Sequence, residues 1–244
     1  MDNRICGVHA VFEALVSGRQ PIERIHIARE AKSGKLKDIL EMARVRDIPI
    51  RRESRAVLDR MSQGGVHQGI VAVSGEIAYA QFEVLLKTDK PLVIVLDGIE
   101  DPHNLGAVIR TADACHASGI VVPERHSAPL SATVAKASAG ASAYVPVVRA
   151  KNLVNVIGEL KERGLWVIGV DPAGTQDWTS FDYTGPVALV LGGEHRGLRR
   201  LVREHCDALV RLPMLGKIAS LNISVAAGVV LYEVVRQRKK AGQE

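Results

Sequence analysis

The sequence predicts an α/β protein in which a small α/β module precedes a larger part built on a parallel sheet. The first observation is that continuous apolar segments, such as residues 92–96 and 187–192, alternate with amphipathic helical segments. Strands that are apolar throughout are typical of parallel sheets covered on both faces. The second is that glycine, asparagine and charged residues gather directly after these strands. Ligands of open parallel sheets bind at such strand ends.

The first part of the chain, residues 1–75, alternates short helices with short strands. Apolar residues at helical spacing predict helices over 7–17, 35–46 and 55–61, and β-branched segments predict strands over 25–28, 49–50 and 69–73. Residues 76–90 are only weakly periodic, and we interpret them as a linker.

The remainder, residues 91–244, carries the stronger pattern. Apolar segments predict strands over 92–97, 120–123, 144–148, 165–170, 187–192 and 208–212. Amphipathic segments predict helices over 104–117, within 129–142, and over 152–163, 197–204 and 220–238. This alternation favours a doubly wound sheet forming one larger domain.

Composition limits the kind of protein and its surroundings. Hydrophobic residues make up 47% of the chain and charged residues 24%, and no apolar run reaches the ~18 residues needed to cross a bilayer. The N-terminus does not resemble a signal peptide. Three cysteines without a CxxC pair, and histidines without ligand spacing, indicate neither a disulfide framework nor a metal site. We therefore expect a cytoplasmic protein with no membrane partner and no metal.

Positive charge is concentrated at the start of the chain. Residues 1–75 hold 13 Lys or Arg against 9 Asp or Glu, whereas residues 76–244 hold 19 against 18. A basic module before a nearly neutral one favours binding of a polyanion such as RNA. A basic protein without a nucleic-acid partner would have the same charge pattern.

The first polar stretch, DGIEDPHNLGAVIRTADA, follows the strand 92–97. Asn104 begins the predicted helix, where a functional role and simple helix capping are both open. Arg110 lies among apolar residues of that helix, and an ion pair with Asp113 is the alternative to a functional role.

The second stretch, LVLGGEHRGLRRLV, follows the strand 187–192. Gly192 and Gly193 would allow a ligand to approach the backbone closely. Glu194 follows them directly, and its alternative role is charge matching at a helix N-terminus. Four arginines at helical spacing would form either an RNA phosphate contact or a solvated stripe: Arg196, Arg199, Arg200 and Arg203.

The third stretch, LPMLGKIASLNISVAAGVV, follows the strand 208–212. Ser220 and Asn222 are good helix-start residues, so capping alone would also explain them. The helix that follows is apolar on several sides, which indicates packing against a second subunit.

Together, these stretches carry N-x-G-A-x-x-R, G-x-E-x-x-G and S-L-N-x-S-x-A in that order. The set resembles the three signature motifs of the SpoU/TrmH RNA ribose methyltransferases. In addition, the GVHAVFEAL opening and the VHQGI segment resemble the RNA-binding domain of bacterial enzymes that methylate a guanosine of 23S ribosomal RNA. The resemblance of the three motifs, in order and spacing, covers residues 91–244.

The resemblance implies a catalytic domain with a deep trefoil knot, S-adenosyl-L-methionine as cofactor, and a homodimer. It implies a ribose 2′-hydroxyl of large-subunit ribosomal RNA as the methyl acceptor, in free RNA or in an assembling subunit. The catalytic residues carried over by motif are Asn104, Arg110, Glu194, Ser220 and Asn222. The cofactor-binding residues carried over are Gly192, Leu212, Met214 and Leu221.

Other interpretations stay open at this point. A nicotinamide-dependent dehydrogenase would also use a parallel sheet, but no GxGxxG follows the strands 92–97 or 187–192. A non-catalytic RNA-binding protein would explain the basic module without requiring Arg110, Glu194 and Asn222 at three strand ends. Within the family, a transfer-RNA enzyme and an antibiotic-resistance methylase of the ribosome are the alternatives.

Overall fold

The computed structural model describes residues 3–18, 21–31, 34–75, 78–193, 197–218 and 220–242. The chain divides into two compact units. The first comprises Met1–Ala78 together with Pro129–Tyr144, and the second comprises Tyr79–Ala128 together with Val145–Glu244. Pro129–Tyr144 thus joins the first unit, whereas the boundaries predicted from the sequence place it in the larger domain.

The first unit contains a four-stranded sheet. Its strands are β1 (Asn3–Cys6), β2 (Ile22–Ala28), β3 (Ile50–Glu53) and β4 (Ile70–Ser74), and its first three helices are α1 (Val8–Ser17), α2 (Gly34–Val45) and α3 (Arg55–Met61). The strand order is β1-β4-β2-β3, with β4 antiparallel to both neighbours and β2 parallel to β3. One face of this sheet packs isoleucines against α1 and α2.

The second unit is built on a seven-stranded sheet. The strands are β5 (Leu92–Asp97), β6 (Gly119–Pro123), β7 (Val147–Ala150), β8 (Trp166–Val170), β9 (Gln176–Asp177), β10 (Val187–Gly192) and β11 (Ala208–Arg211). The helices are α4 (Pro102–Ala114), α5 (Ala132–Ala137, which belongs to the first unit), α6 (Leu153–Glu162), α7 (Arg200–His205) and α8 (Ile223–Lys240). A 3₁₀ helix covers Phe82–Leu86.

All described pairings of this sheet are parallel, in the order β7-β6-β5-β10-β8-β11-β9. The predicted parallel sheet is therefore confirmed, and its central strands β5 and β10 are almost completely buried. Their register pairs Asp97 with Gly192, so the two strands end at the same level. The trefoil knot implied by the resemblance stays a prediction.

Several predicted elements differ from the observed ones. The helix predicted over 197–204 is α7 and begins only at Arg200, and the helix predicted from Ser220 is α8 and begins at Ile223. The strands β1 and β9 were not predicted. Within the described residues, no helix is both long and apolar enough to span a membrane.

Candidate active site

A cavity of about 250 Å³ opens at the carboxyl ends of β8, β10 and β11. Parallel strands present these ends at one edge of the sheet, which is the usual ligand-binding edge. The lining residues come from the loops after these strands and from the start of α8: Val170, Asp171, Pro172, Leu191, Gly192, Gly193, Gly197, Leu212, Met214, Ser220, Leu221, Ile223 and Ala226.

The cavity depends on a close backbone crossing at Gly192. A Cβ atom on this residue would lie 2.1 Å from the carbonyl carbon of Gly197 and 2.4 Å from the nitrogen of Leu198. Gly197 N–H donates to the carbonyl oxygen of Gly193 at 3.1 Å. Glycine at position 192 is therefore a steric requirement, and it leaves bare backbone at the cavity wall.

The four residues predicted to bind a cofactor all lie in this cavity wall: Gly192, Leu212, Met214 and Leu221. Ser220, predicted as catalytic, also lines it. The structure thus brings residues of the second and third stretches to one cavity, while their individual roles stay predictions.

Asn104 and Asn222 meet beside this edge of the sheet. The Nδ2 atom of Asn222 donates to Oδ1 of Asn104 at 3.0 Å, where α8 packs against α4. Asn222 is also the N-cap of α8, because its Oδ1 accepts from the backbone N–H of Ser224 at 2.8 Å. The side-chain amide of Asn222 therefore links the third stretch to the first, in addition to the packing of α8 against α4.

Asn104 does not cap α4. That helix begins at Pro102, and Oδ1 of Asp101 accepts from the backbone N–H of His103 at 2.8 Å. Asn104 lies in the first turn, which removes capping as the explanation for its presence.

Arg110 lies six residues further along α4, about 9 Å along the helix axis from Asn104. Its side chain is exposed, and it makes neither a hydrogen bond nor an ion pair with any residue that the structure describes. The ion pair with Asp113, the alternative offered by the sequence, is therefore not formed. Arg110 is not among the residues that line the described cavity, whereas Ser220 and Leu221 are.

Glu194 was predicted as a catalytic residue of the second stretch. It lies outside the described residues, together with His195 and Arg196. The described residues on either side, Gly193 and Gly197, form a β-bridge.

The sequence interpretation missed the carboxylate of Asp97 at the end of β5. Its side chain is fully buried, and it accepts from the backbone N–H of Arg199 at 2.7 Å and from Nε of Arg199 at 2.6 Å. The Nη2 atom of Arg199 lies 2.6 Å from Asp97 Oδ1. This ion pair joins Arg199, which follows β10 in the chain, to the end of β5. In the sequence, its one indication was an acidic residue at the end of an apolar strand.

This pair corrects the prediction of a four-arginine helical face. Arg199 has extended backbone and is the N-cap of α7, so it lies outside the helix. Its side chain is half exposed, and its guanidinium pairs with the buried Asp97 instead of forming a helical face with Arg200 and Arg203. The predicted face is wrong for Arg199 because the helix begins only at Arg200, and Arg196 lies outside the described residues.

A second carboxylate that the sequence interpretation missed is Asp171, directly after β8. The residue is 7% exposed and lines the cavity. Its Oδ1 accepts from the backbone N–H of Ala173 at 2.9 Å, and its Oδ2 has no hydrogen-bond donor among the described residues. The cavity therefore contains one acidic oxygen available to a ligand, and the strand-end rule could have identified it.

The cysteine thiols are poorly suited to nucleophilic chemistry. Burial raises the pKa of Cys115 to about 11, and burial with the nearby Asp207 carboxylate raises the pKa of Cys206 to about 12. Burial also raises the pKa of Cys6. Since the thiolate is the reactive form, these residues are packing groups. In the part of the chain described here, no group of three or more His, Cys, Asp or Glu is placed to hold a metal ion.

Comparison with known proteins matches both parts of the chain. Residues 91–232 match the SpoU rRNA Methylase family, and residues 4–80 match the family described as RNA 2′-O ribose methyltransferase substrate binding. The chain is 43% identical over 244 residues to YacO of Bacillus subtilis, whose name places it in the TrmH family of tRNA/rRNA methyltransferases. That match covers 98% of this chain and 97% of YacO.

Solved structures of SpoU and TrmH enzymes and of an rRNA methyltransferase are also similar to this chain. The SpoU methyltransferase AviRb from Streptomyces viridochromogenes, in complex with AdoMet, has a TM-score of 0.85 at 28% identity, covering 97% of this chain and 90% of that one. An AdoMet-bound rRNA methyltransferase from Sinorhizobium meliloti has a TM-score of 0.85 at 28% identity, covering 96% and 87%. A TrmH/SpoU tRNA modifying enzyme from A. aeolicus has a TM-score of 0.58 at 32% identity, covering 66% of this chain and 81% of that one.

Proposed function

Because the chain belongs to the SpoU rRNA methylase family, we propose that it transfers a methyl group from S-adenosylmethionine to a ribose 2′-hydroxyl of RNA. The observation that carries this proposal is the cavity wall, in which Gly192, Leu212, Met214, Ser220 and Leu221 lie together at the strand ends. Gly192, Ser220 and Leu221 belong to the motifs that resemble those of the family, and the resemblance also carries over Leu212 and Met214 as cofactor-binding residues.

The cavity offers polar and apolar contacts that suit this methyl donor. Its volume of about 250 Å³ is close to the lower limit, about 300 Å³, for sites that hold small organic ligands. Leu191 and Met214 offer apolar contacts, the bare backbone at Gly192 permits close approach, and Asp171 offers a carboxylate oxygen to a hydroxyl or a cationic group. When bound, S-adenosylmethionine supplies an electrophilic methyl group.

The protein residues must then help a weakly nucleophilic hydroxyl to lose its proton. An arginine stays protonated at neutral pH, so Arg110 acts by orienting the ribose and stabilising negative charge on its oxygen. The proton leaves to water or to an RNA phosphate. Asn104 and Asn222 act as positioning residues, Ser220 hydrogen-bonds near the hydroxyl, and Glu194 orients Arg110 or anchors its loop.

Large-subunit ribosomal RNA is the proposed substrate, with guanosine as the methylated nucleotide. The structural likeness to the rRNA methyltransferase of Sinorhizobium meliloti extends over both units, whereas the likeness to the tRNA modifying enzyme covers two thirds of the chain. The basic first unit, which matches the substrate-binding family, supports an RNA partner. The guanosine rests on the resemblance of the N-terminal module alone.

We also propose that the chain works in the cytoplasm as a knotted homodimer. Large apolar side chains are exposed before α8 and along it, including Leu215 at 99%, Tyr232 at 56% and Val225 at 50%. A second copy packed against these residues would remove them from water, which favours association.

The test combines activity with donor binding. We expect Arg110→Ala to lower methyl transfer to ribosomal RNA by about 100-fold or more, the usual cost of losing an oxyanion-stabilising group. The affinity for S-adenosylmethionine, measured by calorimetry, should stay within about twofold because Arg110 does not line the cavity.

Arg163→Ala is the matched control, since it removes an exposed arginine that follows α6. Equal activity of the two variants would refute the role of Arg110. Absence of donor binding by the unaltered chain would refute the function itself. Mapping 2′-O-methylation in ribosomal and transfer RNA from cells that lack the gene would identify the nucleotide.

A further inference from the structure

The first unit contains a cavity of its own, with a volume of about 280 Å³. It lies against the sheet face opposite the isoleucine core. Its wall is mostly charged or polar and consists of Arg4, Glu23, Arg24, His26, Met61 and Val73.

The strand register explains why Arg4, Arg24, His26 and Val73 share one face, and an irregularity in β2 between Ile22 and Arg24 interrupts the alternation at Glu23. Val73 of β4 pairs with Arg4 of β1 on one side and with Arg24 of β2 on the other. Two residues further along β2, His26 pairs with Arg51 of β3. Because side chains alternate along a strand, all of these point to the same face.

Only part of this face is covered by apolar packing. Leu58 of α3 packs against Ala28 and Val71, with Cys6 and Met61 at the margin. The part bearing Arg4, Arg24 and His26 has the cavity above it instead.

Two buried nitrogens in the cavity wall have no hydrogen-bond partner among the described residues. Arg4 donates from Nη1 to the carbonyl oxygen of Met61 at 2.9 Å, but its Nε is buried and unpaired. His26 is 7% exposed, and its Nδ1 makes no hydrogen bond but lies 3.5 Å from Oε1 of Glu53, close enough for an ion pair if the ring is protonated. A buried donor without an acceptor destabilises the protein, so a ligand oxygen that accepts from Nε of Arg4 would bind favourably.

The charges in the cavity define the chemistry of that ligand. Arg4 and Arg24 supply guanidinium donors, whose geometry matches phosphate oxygens. Glu23 is exposed beside them and can accept a hydrogen bond but not donate one. The ligand must therefore offer acceptor oxygens to the guanidiniums and a donor to the carboxylate. An RNA backbone offers the first through its phosphate and the second through the 2′-hydroxyl of the ribose.

We propose that this cavity binds one phosphate–ribose unit of the substrate RNA, with the phosphate at Arg4 and Arg24 and the 2′-hydroxyl at Glu23. The proposal rests on the proposed function in that it takes RNA as the substrate. It assigns the recognition to one cavity of the first unit rather than to the basic charge of the module as a whole.

The experiment measures binding of the full chain to a fluorescent 12-nucleotide oligouridylate and to the matching deoxy oligonucleotide. We expect Arg24→Gln to weaken RNA binding about tenfold and to reduce the slope of log affinity against log salt by about 0.7, the value for one phosphate contact on a single strand. Glu23→Gln should reduce the preference for the ribo- over the deoxy oligonucleotide.

Arg52→Gln is the matched control. Arg52 is exposed on the same small sheet, but as the neighbour of Arg51 in β3 it points away from the cavity face. Its affinity for the oligouridylate should stay within about twofold of the unaltered chain, a factor worth less than about 0.5 kcal/mol.

Equal weakening by Arg24→Gln and Arg52→Gln would overturn the proposal, as would an unaltered chain without affinity for the oligouridylate. Methyl transfer is measured in parallel on ribosomal RNA. If the unaltered chain methylates RNA while the two arginine variants bind alike, the cavity proposal fails and the proposed function stands. If the unaltered chain binds the oligouridylate and methylates no RNA, the proposed function fails instead.

Discussion

The side-chain amide of Asn222 donates to Oδ1 of Asn104 across 3.0 Å and joins two stretches that lie 118 residues apart in the chain. The same side chain accepts from the backbone N–H of Ser224 through its Oδ1 at 2.8 Å. Its oxygen therefore caps α8, while its nitrogen reaches α4. These two roles can be separated by substitution.

Asn222→Asp keeps an oxygen for the cap and places a negative charge at a helix N-terminus, which is favourable. The substitution replaces Nδ2, which donates to Oδ1 of Asn104, by an oxygen that can only accept. Two acceptor oxygens then lie opposite each other. We expect its unfolding free energy to stay within about 0.5 kcal/mol of the unaltered chain, while the rate of methyl transfer falls. Urea unfolding and a tritiated methyl assay measure the two effects.

Asn222→Ala is the companion variant, because it loses both interactions. It should be less stable by about 1 kcal/mol, the usual cost of an N-cap. Unchanged methyl transfer by Asn222→Asp would show that the contact with Asn104 has no part in the reaction.

The cavity wall was predictable because its residues follow from local patterns. Apolar strands can be recognised from composition, and their carboxyl ends gather at one edge of a parallel sheet, so Gly192, Leu212 and Ser220 were expected near one another. The cap of α4 was also available in the sequence. Pro102 marks the first helical position, which favours Asp101 rather than Asn104 as the N-cap.

Pairings between distant residues were not predictable in this way. Asp97 and Arg199 are 102 residues apart, and neither has a local pattern that identifies the other. The strand β1 has only four residues, including the polar pair Asn3 and Arg4, and exists because β4 pairs with it. Pro129–Tyr144 lies between two strands of the second unit, so its place in the first unit depends on tertiary packing.

The ion pair between Asp97 and Arg199 makes a stability prediction. Arg199→Ala removes the guanidinium and leaves a buried carboxylate whose one remaining donor among the described residues is the backbone N–H of residue 199. Breaking a fully buried pair costs about 3–5 kcal/mol, and because the Arg199 side chain is 53% exposed we expect about 2 kcal/mol. Urea unfolding measures the loss.

The neighbouring Arg200 provides the control. Its side chain is 75% exposed and pairs with Glu204 at 2.9 Å within α7. Surface pairs of this kind contribute about 0.3–0.5 kcal/mol, so Arg200→Ala should change stability little. Similar losses of unfolding free energy in the two variants would mean that the buried ion pair of Asp97 with Arg199 stabilises the protein no more than a surface pair does.

Gly192 gives a prediction for the cavity. Gly192→Ala would place a Cβ 2.1 Å from the carbonyl carbon of Gly197, and backbone atoms cannot yield as a flexible side chain can. We expect both a loss of stability and a fall in affinity for S-adenosylmethionine of at least about tenfold, measured by calorimetry. Gly158→Ala, with no atom within 4 Å of its new Cβ inside α6, should instead stabilise the chain by about 0.5–1 kcal/mol. Donor affinity that survives Gly192→Ala would show that the loop crossing can relax.

Glu233 predicts how stability depends on pH. This buried carboxylate of α8 accepts from Nε of Arg236 at 2.7 Å and from Nε2 of Gln237 at 2.7 Å. The hydrogen bond from Arg236 lowers the pKa of Glu233 below its ordinary value, more than burial raises it. The ionised form is therefore favoured by folding.

A carboxyl whose pKa is lower in the folded state stabilises the protein above its unfolded pKa, near 4.5, and this contribution is lost as the pH falls through the folded value. The unfolding free energies of the unaltered chain and of Glu233→Gln should therefore differ most near neutral pH and converge in acid. Arg236→Gln should abolish most of the same pH dependence, because it removes the main cause of the lowered pKa. A difference between the unaltered chain and Glu233→Gln that stays constant from neutral to acidic pH would mean that Glu233 contributes through packing alone.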